Sequence, residues 1–318
     1  SYTTGIANGT IDIKNEGNGN IYGIYNDEAF VKNASSDRDS SSKGKINILN
    51  VGNGNIYGIY AQYAYNANPR NGESLRNTNS ATGTIDITNT GNGNIHGIYA
   101  TEYAYNAYSK SGAYWYATGN IKIKNKGLGN AYGMWASDVN NDFILEENNN
   151  EAIIVRYSST IEMFNEEAGS IIGIFGKTNA MNSGDITIHN LDNGIAVGMM
   201  VEENGTATNS GTITISHNTY TDNMGTIFDT SDDITYVASS ERGGTAIGIY
   251  GGANSTITNE TDGKIIINGA DTAYGIYAES GSTVTNNGQI TIDGVSCSGT
   301  NCNANGNAIK LNGGKLFQ

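Results

Sequence analysis

His96, His189 and His217 are the only imidazoles in the chain, and a hydrolase built on a Ser-His-Asp or Cys-His set would have to recruit one of them. None stands beside a nucleophile motif: G-x-S-x-G and G-D-S-G-G are absent. His96 fills a slot that Tyr22, Tyr57 and Tyr132 fill in copies of the same segment, and His189 one held by Lys14, Thr88 and Lys124. His217 stands where other copies carry asparagine. Carboxylates are the second source of chemistry. Asp12 and Asp86 share one position of a repeat, two copies apart and about 10 Å from each other if copies stack at strand spacing. An inverting glycosidase wants roughly 6.5 to 9.5 Å between its carboxyl groups, and Asn47 lies between these two. The acidic "DTSDD" at 229–233 could hold calcium, but it lacks the G-G-x-G-x-D nonapeptide of calcium-binding rolls and reads as a solvated turn. "GNGN" is a turn signal, since no lysine follows it as in a phosphate loop. No metal or cofactor motif emerges, and the chain is expected to be no enzyme.

These positions recur because the chain repeats itself. "GNGNIYGIY" occupies 17–25 and again 52–60, "GNGNIHGIY" 91–99 and "GLGNAYGMW" 127–135. G-x-I-x-I returns at Gly9, Gly44, Gly83, Gly119, Gly184, Gly211, Gly263 and Gly288, with a degenerate copy at Ile161-Glu162-Met163. Glycine then opens a second pattern at Gly23, Gly58, Gly97, Gly133, Gly173, Gly198, Gly248 and Gly275, and a weaker third one ("TATNSG", "STITNETDG", "STVTNNG") appears in later copies. Alternation of Ile with a polar residue, punctuated by Gly and Asn, is half-buried strand and turn. Three short strands in 25 to 27 residues make one coil of a parallel β-helix. One coil cannot cover its own apolar side, so about nine stack into an all-β solenoid roughly 40 Å long. Asn15, Asn50, Asn89, Asn125, Asn165 and Asn190 then form a ladder at one corner. Tyr25, Tyr60, Tyr99, Trp135, Phe175, Met200, Tyr250 and Tyr277 form an aromatic-rich one. Ile21 shares their parity while Ile24 does not, so a bend at the glycine switches the inward parity. Both orientations of the aromatics stay open.

Departures from the repeat are the natural seats of recognition. Insertions at 26–43, 61–80, 100–117 and 136–158 follow G-I-Y in the first four coils and are expected to build one lateral lobe. Its aromatic residues, Tyr63, Tyr65, Tyr103, Tyr105, Tyr108, Tyr114, Trp115 and Tyr116, are the candidate ligand-binding set, with packing inside the lobe as the alternative. A further insertion at 216–244 suits a hairpin.

Bulk properties bound the partners. Seventeen basic against 31 acidic residues give a net charge of -14, which repels a phosphate backbone, so nucleic acid is not expected. No apolar stretch approaches the roughly 20 residues of a spanning helix. No signal peptide begins at Ser1, as in a cytosolic protein or a mature or excised piece. Cys297 and Cys302, in "CSGTNC" within the C-terminal segment 293–318, are the only cysteines. They suit a tight disulfide loop in an exported protein or two idle thiols.

"GTIDI", "GNIYGIY" and "TNSGTITI", recurring along an acidic, Gly/Asn-rich chain with one proline, resemble the passenger domains of Gram-negative autotransporters. The resemblance covers residues 1–318 as a single passenger segment. It implies a right-handed parallel β-helix exported through a C-terminal outer-membrane β-barrel that this sequence lacks, with Cys297 and Cys302 closing a loop small enough to thread. It further implies a secreted or cell-surface adhesin or self-association (aggregation, biofilm) module. Its partners would be a host cell-surface glycan or protein receptor, or another copy of itself. A tailspike-like polysaccharide lyase or glycosidase, or a toxin subunit, is the alternative.

Overall fold

A computed structural model describes residues 4–6, 8–35, 41–68, 79–108, 115–141, 156–167, 169–217, 220–222, 234–236, 243–297, 306–313 and 315–317. Every element among them is a β-strand, and the chain winds as a right-handed parallel β-helix. Nine parallel strands form the first face, from Thr10–Asn15 and Ser41–Asn50 to Lys264–Asn268 and Gln289–Ile292. They are the G-x-I-x-I segments, and their register is the one the repeat demands: Ile11, Ile46, Ile85, Ile121, Ile161, Ile186, Ile213, Ile265 and Ile290 are vertical neighbours. From Ile46 to Ile290 each of these is buried in the core. Slipping any strand by one residue would turn its isoleucines to solvent, so the alternation fixes the register.

The second face carries the G-I-Y pattern. At its glycine the pleat changes phase: Ile56 and Ile59 both point inward, while Tyr57 and Tyr60 both point out. A Cβ on Gly58 would lie 2.5 Å from the Gly97 carbonyl oxygen and 2.6 Å from the Ile85 side chain. Only glycine allows the strand to come this close to the coil beside it.

The third face corrects the expected insertions. In the early coils the chain does not leave the rod after G-I-Y but turns a corner within one long strand, Ile21–Ala34, Ile56–Ala67, Ile95–Ala107, Ala131–Asn141 and Ile171–Asn182. Register shifts mark that corner. Later coils break there and form separate strands, Thr206–Asn209, Thr256–Asn259 and Thr283–Asn286. Residues 26–34, 61–67, 100–107 and 136–141, assigned to a lobe by sequence, are thus rod, as are 41–43, 79–80, 115–117 and 156–158 at the far ends of the same segments. The reason is the inward pair Ala64 and Asn66, repeated as Ala104 and Asn106, which alternates with outward tyrosines as a strand must. Whatever lobe the remaining residues form lies outside the described residues.

Ala64 and its neighbours join the core, and the asparagines form a ladder of their own. Asn33, Asn66, Asn106, Asn141, Asn182, Asn209, Asn259 and Asn286 are linked by Nδ2-to-Oδ1 hydrogen bonds of 2.9 to 3.0 Å, each donating to the next coil. The ladder expected from Asn15 to Asn190 is present at another corner, with steps of 2.8 to 3.2 Å. Outside the core, Asp12, Asn47, Asp86, Lys122 and Glu162 run down the first face, where Asn47 donates to Asp12 and Lys122 lies 3.6 Å from Glu162. Like charges are kept off adjacent coils. At the C-terminal end Val295–Cys297 folds back antiparallel on Gln289–Ile292 through Asp293 and Gly294, both at positive φ (49° and 75°), as a two-residue hairpin turn requires. Cys302 lies outside the described residues, and with it the disulfide expectation. Within 216–244, Tyr220–Asp222 pairs antiparallel with Ile234–Tyr236, the hairpin expected there.

Asn106 is fully buried and donates to Gly119, Thr160 and Asn141 while accepting from Asn66. Asn106→Ala strands several buried partners and is expected to cost at least about 2 kcal/mol in urea unfolding. Asn18→Ala, on an exposed turn, should cost within about 0.5 kcal/mol.

Candidate functional site

The tyrosines singled out by sequence divide into two groups. Tyr63 and Tyr65 stand on Ile56–Ala67, Tyr103 and Tyr105 on Ile95–Ala107, all facing outward from the third face. They form two short columns. Phe30 stacks on Tyr63 at 4.4 Å and Tyr63 on Tyr103 at 5.6 Å; Tyr65 stacks on Tyr105 at 5.1 Å, with Tyr108 tilted against Tyr105 at 4.8 Å. Burial and the neighbouring Tyr105 push the Tyr65 hydroxyl well above its ordinary range. Trp115 and Tyr116 are not with them but begin a first-face strand, in register with Asn79 and Ser80. Tyr114 lies outside the described residues.

A larger aromatic surface lies on the second face. The G-I-Y aromatics point outward, and so do the residues on the other side of the glycine. One column runs Tyr22, Tyr57, His96, Tyr132, Ile172, Val197, Ile247, Tyr274; the other runs Tyr25, Tyr60, Tyr99, Trp135, Phe175, Met200, Tyr250, Tyr277. Successive rings stack at 4.4 to 5.7 Å down the columns, and the columns meet edge to face at 5.0 to 5.8 Å. Stacking covers the ring faces and leaves edges and hydroxyls to solvent at Tyr25, 53% exposed, and in part at Tyr57, Tyr60, Tyr99, Tyr132 and Trp135, whereas His96, Ile172, Phe175, Val197 and Ile247 are buried. No carboxylate, lysine or arginine occurs in either column over these eight coils, a length of roughly 34 Å. Charges rim the strip: the Tyr25 hydroxyl donates to Asp27 at 2.8 Å and that of Tyr250 to Glu279 at 3.3 Å, the Lys177 ammonium lies 4.5 Å from the Trp135 ring centre, and Lys310 follows Tyr277 in register. Sequence left the direction of this ladder open because the pleat phase inverts at each glycine, so parity on one side says nothing of the other.

The histidines offer no catalytic pairing. His96 is sandwiched between Tyr57 and Tyr132 at 5.1 and 4.8 Å, and its Nδ1 has no hydrogen-bond partner. Burial lowers its pKa from 6.5 to about 4. His189, on the first face, is likewise lowered by burial, against the charge of Glu162. His217 is 2% exposed, neither ring nitrogen has a partner, and its ring packs where a side chain on Gly243 would have to go. It follows Asn190 of the coil before, the corner-asparagine position that the sequence gives it. On the first face, Asp12, Lys14, Lys45, Asn47, Leu49, Asp86 and Thr88 line an open depression of about 540 Å³. Among the described residues no group of three or more His, Cys, Asp or Glu is placed to hold a metal ion; 229–233 lie outside them.

No family model, curated protein or solved structure matches the chain, so function rests on this geometry.

His96 gives the aromatic face a measurable pH dependence. Its folded pKa lies below the unfolded value, so folding is favoured by the neutral ring: the full contribution holds above pH 6.5 and is lost as pH falls toward 4. A separation of about 2.5 pH units corresponds to about 3 kcal/mol. His96→Tyr completes the column Tyr22, Tyr57, Tyr132 and is expected to make the drop in Tm between pH 7 and pH 4.5 smaller than in the unsubstituted chain, leaving the part due to His189.

Proposed function

We propose that the chain is a non-enzymatic cell-surface adhesion and self-association module, exported in the manner of an autotransporter passenger from a Gram-negative bacterium, with the second-face aromatic strip as its contact surface. The observation that carries this reading is the strip itself. Two columns without a carboxylate, lysine or arginine over eight coils, on a chain of net charge -14, form an apolar face that is exposed at Tyr25 and half-buried at Tyr57, Tyr60, Tyr99 and Tyr250, with Ile172, Phe175, Val197 and Ile247 buried as a small cluster between them. Accessible apolar surface of this kind marks interaction sites. A rigid ladder with one repeat per coil finds a partner of matching pitch in a second copy, laid alongside so that hydroxyls and ring edges interdigitate. Each coil adds a weak contact, and many together hold. Acidic rods repel one another, so a strip that carries charge only at its rim, at Asp27, Lys177 and Glu279, is where two of them meet at lower electrostatic cost. A host surface protein with an apolar face is the other partner class this strip suits.

The depression around Asp12 and Asp86 favours a second reading, a polysaccharide-degrading enzyme. Against it, Asn47 occupies the space between the two carboxylates and donates to Asp12. If this reading held, the chain would release reducing ends from a polysaccharide and Asp86→Asn would abolish the release.

Cells or beads displaying the chain are expected to clump, more at 150 mM than at 10 mM salt because screening shortens the repulsion between acidic rods. Tyr60→Lys with Tyr132→Lys puts charge on the strip in two separate coils while the lysine stems keep packing, and should raise the concentration needed for clumping by about tenfold or more. Undiminished clumping by the double variant, at wild-type Tm, would rule the strip out.

A further inference from the structure

A ring inside a stack has both faces covered, so only a ring that ends a column can offer a face to a ligand. Within the second-face columns rings pass into bulky aliphatic residues, Tyr132 to Ile172 and Phe175 to Met200, and the terminal rings are Tyr22 and Tyr25 at one end and Tyr274 and Tyr277, followed by Asn307 and Lys310, at the other. The third-face columns end differently. Tyr105 has Tyr108 tilted over it, but Tyr103, stacked on Tyr63 on one side, is followed on the other by Asp138. A carboxylate side chain is too short to cover a phenol ring, and Tyr103 remains 37% exposed. Past Asp138 the same column continues through Asn179, Thr206, Thr256 and Thr283, a floor of short polar side chains roughly 19 Å long at strand spacing. Thr206 and Thr256 are exposed and the others half-buried. The aromatic ridge therefore drops in one step onto a shelf of hydroxyl, carboxamide and carboxylate groups, with the Tyr103 ring as its end wall.

We infer that this step is a glycan-binding subsite, in which the terminal pyranose of a neutral oligosaccharide packs its apolar C–H face on Tyr103 and donates hydroxyl hydrogen bonds to Asp138, while the next sugars lie along Asn179 and the threonines. An aromatic face beside a few placed polar groups is the usual composition of a small-ligand site, and Asn, Thr and Asp supply both acceptors and donors for hydroxyls. Charge sets the class of sugar. Glu102, exposed on the register-shifted corner of the same strand, acts on Asp138; burial and that neighbour hold the Asp138 carboxyl above its ordinary range. Two acidic groups at the end wall repel sialic, uronic or sulfated sugars and leave neutral ones. The subsite stands on a different face from the self-association strip, so either can fail without the other.

The test is an array of glucose-, galactose- and N-acetylhexosamine-terminated neutral oligosaccharides with their sialylated and sulfated counterparts, probed with the full chain. Binding to one or more neutral glycans is expected, weakened at least tenfold by Tyr103→Ala, kept by Tyr103→Trp, and unchanged by Tyr60→Ala, whose ring faces are already covered. Asp138→Tyr guards against misfolding as the cause of loss: it extends the column over the Tyr103 face, so it should abolish binding while leaving Tm unchanged or higher. Absence of binding to every neutral glycan, a preference for the acidic ones, or wild-type binding by Asp138→Tyr each overturns the subsite.

Discussion

In a stack of parallel coils each side chain has as its vertical neighbour the residue one repeat away, and this single constraint governs the protein. Where the repeated residue is isoleucine, the stack is a core: Ile46, Ile85, Ile121 and Ile161 lie one over the next with exposures of 0 or 1%. Where it is asparagine, a carboxamide has a complementary donor above and acceptor below, so it can be fully buried without an orphaned polar group, as Asn66, Asn106 and Asn141 are. Where it is a charge, the stack becomes repulsive, and the Asp12 column answers by inserting Asn47 and Lys122 between carboxylates. Composition follows from this. Long charged side chains are scarce because only alternating signs can be stacked.

The same constraint shapes the outer surface. Aromatic residues repeated in register satisfy one another ring to ring and present edges, so a ladder of sixteen positions on the second face offers an apolar, hydroxyl-bearing strip without a single open ring platform inside it. Recognition by ring faces becomes a property of ends. Tyr103, where the column passes to Asp138, has a chemistry that Tyr63, one coil away, does not.

The fold was largely legible in sequence because a repeat states its own register. The nine G-x-I-x-I strands, the first asparagine ladder, the phase change at the glycines and the hairpin within 216–244 all appear where residue spacing put them. The third strand of the early coils was not legible. "YAYNA" carries alanine and asparagine at its inward positions, Ala64 and Asn66, and neither advertises burial as isoleucine does, so the segment read as an insertion. Its eight-residue asparagine ladder went unseen for the same reason. Of the candidate binding set, Tyr63, Tyr65, Tyr103, Tyr105 and Tyr108 do come together, but as columns on the rod, while Trp115 and Tyr116 were grouped with them on closeness in sequence alone. The second-face strip needed coordinates, since spacing marks the switch at the glycine but not on which side of it the aromatics face the core.

One corner of each coil, between the third strand and the next first-face strand, is spanned by very different lengths of chain. Ala67 and Asn79 bound one such stretch, Asn141 and Arg156 another, whereas Asn182 is followed almost at once by Asp185. The strands on either side keep their pairing throughout. Connector length at that edge is thus mechanically decoupled from the scaffold: the solenoid specifies where a loop is anchored and leaves its size and sequence free to drift, so the molecule can renew one flank of its surface while the frame that carries it stays fixed.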